Sequence, residues 1–151
     1  MKLKQQLIDD IKAAMLSGDK EAVTTLRGLK SSILNVEVAE GVRDTGLSDE
    51  KIVEIFIKEA KKRQEAADLY KQVGNETKAE QELAEKKIIQ NYLPKQLSED
   101  ELRQIITEIA DKENISELSQ MGQLISKVKA STGGSADGSF IAKLSKEYLQ
   151  K

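Results

Sequence analysis

From Leu3 to Tyr148 the apolar residues of this 151-residue chain return every three or four positions, and no run of four to eight β-branched residues alternates with polar ones. That spacing puts one apolar stripe on each helix and leaves nothing to pair as strands. The expectation is an all-α protein of seven helices. An apolar fraction of 38% with 33% charged residues fits this, because each helix then needs only one buried face.

Punctuation divides the stripes. Leu3, Leu7, Ile8, Ile11 and Met15 mark a first helix over 2–17, stopped by Ser17-Gly18. Asp19 caps a second that runs to about Glu40, with Ala22, Leu26, Leu29, Ile33 and Val36 on its stripe. After the polar loop GVRDTG, Ser48 caps a third helix, and Asp49 and Glu50 suit its positive end. Gly74-Asn75 ends it. Thr77 to Glu80 reads as a capping box for a fourth helix, and Pro94, the only proline, forbids its continuation. Ser98 to Glu101 is a second capping box, Ser119 reads as the cap of a short helix, and a last helix starts near Asp137. The break at Leu93–Ser98 divides an N-terminal four-helix unit, residues 1–94, from a small three-helix C-terminal domain, residues 95–151.

The chain has no Cys and no His, which excludes disulfides, thiol nucleophiles, imidazole bases and Cys/His zinc sites. No GxxxxGK[ST] loop is present. No catalytic residue, metal or cofactor is assigned. Carboxylates gather at Glu80, Glu82 and Glu85 and at Glu37 and Glu40, where acid–base work or Mg²⁺ binding competes with plain surface placement. Tyr70 and Tyr92 fall on apolar faces and are expected in the core with the hydroxyl at its edge. Arg27, inside TLRGLKSSI, is expected to pair with a carboxylate of another helix. Lys61-Lys62-Arg63 is expected to form surface ion pairs with Glu59 and Glu65. Without an apolar leader or an apolar run of about 18 residues, the expectation is a cytoplasmic protein with no membrane segment.

Charge is uneven although the net is only −2. Residues 98–119 sum to −5, while residues 120–151, with Lys127, Lys129, Lys143, Lys146 and Lys151 against Asp137 and Glu147, sum to +3. Such a tail can meet a few phosphates in a salt-dependent way, or it is a solvated helix face. Within it lies TGGSADGS, residues 132–139. Gly133 and Gly134 can bring backbone N–H groups close to a ligand, and the start of the next helix suits a phosphate. The same letters also serve as an ordinary helix stop at Gly133 and an N-cap at Asp137. With two Phe, three Tyr and no Trp, stacking platforms for bases are not expected.

TLRGLKSSI (25–33), KKRQEAADLY (61–70), YLPKQLSEDEL (92–102) and MGQLISKVKASTGGSADGSFIAKL (121–144), in this order and spacing, resemble the GatB/YqeY family, in particular its stand-alone bacterial YqeY-like form. The likeness covers nearly the whole chain. The family often has a basic residue in the turn after the Tyr-containing helix, where this chain has Val73-Gly74-Asn75-Glu76-Thr77. The resemblance implies a bundle of about four helices joined to a small three-helix unit. It also implies kinship with the tail of the GatB subunit of the tRNA-dependent amidotransferase, which helps hold tRNA. The family label is carbon–nitrogen ligase activity with glutamine as amido-N donor, a chemistry whose cradle and glutaminase subunit lie outside these residues. By family position the carry-over lands on Lys127, Lys129, Gly133, Gly134, Ala136, Asp137, Gly138 and Lys143. The expected RNA-binding set is Lys127, Lys129, Gly133, Gly134, Lys143 and Lys146, with tRNA or aminoacyl-tRNA as the partner. The alternatives are a helical protein–protein adaptor, with the stripe of the first helix as its docking face, and a subunit in amide transfer.

Overall fold

The computed structural model describes residues 2–150. Among them are seven α-helices and no strand: α1 (Lys2–Ser17), α2 (Lys20–Glu40), α3 (Asp49–Gln72), α4 (Glu76–Gln90), α5 (Glu99–Glu113), α6 (Met121–Thr132) and α7 (Gly138–Leu149). A single 3₁₀ turn, Leu118–Gln120, leads into α6. The chain falls into two compact units, one ending at Leu93 and the other starting at Pro94.

Helix ends follow local chemistry. Asp19, Ser48 and Ser98 each accept a bond from a first-turn amide, and Ser98 and Glu101 close a full capping box. Four helices stop in the same way. Gly18, Gly41, Gly74 and Asn114 take left-handed φ, and paired bonds from these residues and their successors satisfy the last carbonyls. Two expected caps are displaced. Asn75, not Thr77, accepts from Lys78 N, so α4 opens one residue before Thr77. Ser119 caps nothing: the 3₁₀ turn occupies its place, and the Gln120 carboxamide accepts from the amides of Ser116 and Glu117 instead.

In the first unit α1 packs on α2 and α3, and α4 packs on α3 and α2. Leu7, Ile11, Leu26, Leu29, Ile33, Ile52, Phe56 and Ile89 form its core. The Tyr92 ring meets Phe56 edge-on at 5.6 Å, and its hydroxyl donates to Asp10, as expected for a core tyrosine with its polar end at the edge. Burial and the Asp10 carboxylate both push the Tyr92 phenol well above its ordinary value near 10. Tyr70 is half-buried with the Lys78 ammonium 5.6 Å from its ring centre.

Glu37 is the unexpected core member. Its carboxylate is 1% exposed and takes two bonds of 2.9 Å from Lys4 Nζ. Burial of a charge is tolerated only with such a partner. Arg63 bridges α3 and α4, bonding Glu59 at 2.7 Å and Glu85 at 3.3 Å. Burial raises the Glu59 carboxyl, but bonds and charge from Arg63 and Lys62 outweigh it and hold the group below its usual range. Glu85 moves the other way, because burial and its neighbour Glu82 outweigh Arg63. Arg27 does not find the expected carboxylate. It is exposed, and its guanidinium reaches the Met15 sulfur at 3.5 Å.

The second unit has its own small core of Leu102, Ile106, Ala110, Ile115, Leu124, Val128, Ile141, Leu144 and Leu149. Arg103 on α5 bonds Glu99 at 2.7 Å and Glu147 of α7 at 2.8 Å, at the surface.

Candidate nucleic-acid interface

The candidate residues lie on α6, the turn 133–137 and α7. Helix α6 ends where the Thr132 hydroxyl folds back on the Val128 carbonyl at 2.9 Å. Gly133 then takes φ +60°, ψ −114°, which a side chain would strain, and its amide closes on the Lys129 carbonyl. Gly133 is exposed. Gly134 is buried, and its carbonyl accepts from the Gln96 carboxamide at 3.0 Å. The Ser135 carbonyl accepts from Leu97 N at 2.8 Å. Gln96 and Leu97 carry no local signal of this role, since the bond spans 38 residues.

Lys127 and Lys129 part company. Two residues apart on a helix, they face different ways. Lys127 is half-buried, with Nζ 3.4 Å from a Glu113 carboxylate oxygen at the end of α5. Lys129 reaches across the turn. A Cβ placed on Gly138 would stand 3.1 Å from its Cε and 3.3 Å from its Nζ. Its ammonium thus sits at the first residue of α7. Asp137 occupies the N-cap position of that helix, but its carboxylate makes no capping bond. Lys143 and Lys146, three residues apart, are exposed along one stripe of α7 with Ser139. Lys146 also lies in the last turn of α7, where a cation suits the helix dipole.

The other candidates resolve differently. An open cavity of about 510 Å³ between the starts of α2 and α4 is lined by Lys20, Glu21, Thr24, Thr77, Glu80, Gln81 and Glu85. Its lining mixes both charge signs, and among the described residues no group of three or more Asp or Glu could hold a metal ion. Of the basic run 61–63, Lys62 and Arg63 pair with Glu59 as expected, but Arg63 takes Glu85, not Glu65, as its second partner.

A profile described as Yqey-like protein matches residues 4–149. The chain belongs to the YqeY-like family. The match spans both units, so the turn and its lysines lie inside the family region and are not an appendage to it. No curated protein matches the chain. Among the described residues no helix is long and apolar enough to cross a membrane.

Proposed function

We propose that this family member is a non-catalytic module that grips the phosphate backbone of a tRNA or aminoacyl-tRNA through the α6–α7 turn, in association with amide transfer performed by other chains. The observation that carries the reading is the placement of Lys129. Its ammonium lies at the start of α7, where the N-cap residue Asp137 makes no side-chain capping bond. That combination favours an anion from two sides. Exposed Lys143 and Lys146 extend the positive surface along α7, and exposed Gly133 lets a backbone approach closely. Lys127, paired to Glu113, contributes less. Shape and phosphate are read rather than bases, because aromatic platforms are scarce.

The test is a titration with bulk tRNA at several salt concentrations. Binding that weakens with salt, and a flatter salt dependence for the combined Lys129→Ala, Lys143→Ala and Lys146→Ala variant, support the proposal. No binding at low salt defeats it.

A second reading, a protein adaptor, is favoured by one observation. The stripe of α1 is not available, since Leu7 and Ile11 are buried in the core. Instead the ends of α1 and α3 expose Met15, Leu16, Leu69 and Val73, with Leu16 at 91% and Val73 at 77%.

A further inference from the structure

Helix α2 leaves one face in solvent whose chemistry differs from that of its neighbours. From Ala22 to Val36 it carries two cations, Arg27 and Lys30, and no carboxylate, whereas α3 interleaves acids and bases along its length. Arg27, Ser31, Leu34 and Val38 are exposed and share one stripe about 16 Å long. Leu34 and Val38 are 41% and 59% exposed, and half-exposed Met15 joins the stripe through its sulfur contact with Arg27. Lys30, also exposed, sits one turn before Leu34. Among the described residues no carboxylate pairs with either cation. Gly28 lies beside Arg27 and Ser31, and a Cβ built on it would meet nothing within 4 Å. Its position is inside the helix, where glycine is among the least favourable residues, so nothing within the chain calls for it. A bare backbone there lets a second helix approach closely.

We propose that this face of α2 docks an acidic amphipathic helix of a partner protein, whose apolar residues seat on Met15, Leu34 and Val38 and whose carboxylates meet Arg27 and Lys30. Charge complementarity selects that occupant. A symmetric pairing of two copies through this stripe would gather Arg27 and Lys30 of both in one interface, with no carboxylate on the stripe to oppose them. A nucleic acid would gain two cations from a face whose apolar residues offer phosphate nothing. An acidic amphipathic helix uses every feature: apolar anchors one turn apart match the stripe, carboxylates pair the cations, and its backbone closes on Gly28. Loss of charged residues with retention of Arg is also the composition found at the centre of protein interfaces. Docking here does not depend on tRNA binding by the second unit.

The probe is a synthetic amphipathic helical peptide with a Leu stripe flanked by Glu, titrated into the isotope-labelled full chain and followed by amide NMR shifts. A second peptide carries Lys in place of every Glu. The acidic peptide shifts the amides of residues 27–38, and the Lys peptide binds about tenfold more weakly or worse. Leu34→Asp weakens the acidic peptide about tenfold, because a charge must then be buried at the contact. Arg27→Ala combined with Lys30→Ala flattens the salt dependence of binding. Gly28→Leu separates docking from folding. It raises the thermal midpoint of the free chain, since leucine is the better helix former, yet weakens the peptide about tenfold by blocking close approach. Absence of shifts at 27–38, equal binding of the two peptides, or unchanged affinity in Gly28→Leu overturns the proposal. So does a dimer in sedimentation that Leu34→Asp dissociates, which makes a second copy the occupant, or tRNA-induced shifts along α2, which make it RNA.

Discussion

The two units differ in whether ionic groups reach the core, although both expose lysines. In the first, a few ionic groups are drawn inward: Glu37 sits in the core under Lys4, Arg63 ties α3 to α4, and Asp10 holds the Tyr92 hydroxyl. In the second, the core is apolar apart from Thr132 and Ser145, the Arg103 bridges lie at the surface, and Lys129, Lys143 and Lys146 stay exposed. A cation already paired in a core cannot meet a partner without leaving an uncompensated charge behind. Exposed lysines carry no such penalty. Under the proposed function the second unit keeps its lysines for contact, although by sequence the first unit holds 16 basic residues and the second only eight.

The sharpest way to break this contrast is at Lys4. Lys4→Met strands the Glu37 carboxylate in the core and is expected to cost about 3 kcal/mol, read by urea unfolding. The joint Lys4→Met and Glu37→Met variant recovers most of that loss. A single-variant cost below about 0.5 kcal/mol would mean that the pair is peripheral.

Tyr92→Phe comes next, at about 1.5 kcal/mol near neutral pH, because a hydrogen bond to a carboxylate is lost. The folded phenol titrates above its ordinary value near 10, so its contribution is complete below that pH. It fades as pH climbs from 10 toward the higher folded value. Wild type and variant should therefore converge in alkaline unfolding, and a gap that widens above pH 10 would contradict the assignment.

In the second unit the Ser145 hydroxyl is fully buried with no partner. Ser145→Ala is expected to stabilise by about 1 kcal/mol, measured as a raised urea midpoint at unchanged slope. The smallest effect belongs to Arg103. Its bonds to Glu99 and Glu147 are solvent-exposed, so Arg103→Ala should shift thermal unfolding barely beyond error, and what shift there is should vanish in high salt.

What could be read in advance was whatever a few neighbouring residues decide. The capping box at Ser98 and the caps at Asp19 and Ser48 are local patterns, and the structure forms them. Thr77 failed as a cap because Asn75, directly after the left-handed Gly74, reaches the α4 amides first. Glu37 was legible in part: it lies four residues after Ile33, on the buried stripe of α2, although its letter reads as surface. Lys127 and Lys129 diverge because a spacing of two on a helix points their side chains in opposite directions. Nothing within a few positions of Gln96 announces its bond to Gly134, because tertiary contacts across 38 residues leave no local mark.

The decisive measurement is the slope of log affinity for tRNA against log salt in wild type, Lys129→Ala and Lys127→Ala. If α7 and its turn hold phosphate, removing Lys129 reduces the slope by about 0.7 to 0.9, while removing Lys127, already paired to Glu113, changes it by less than half as much. Equal slopes for wild type and Lys129→Ala, with binding intact, would place the RNA elsewhere on the protein and contradict the proposed interface.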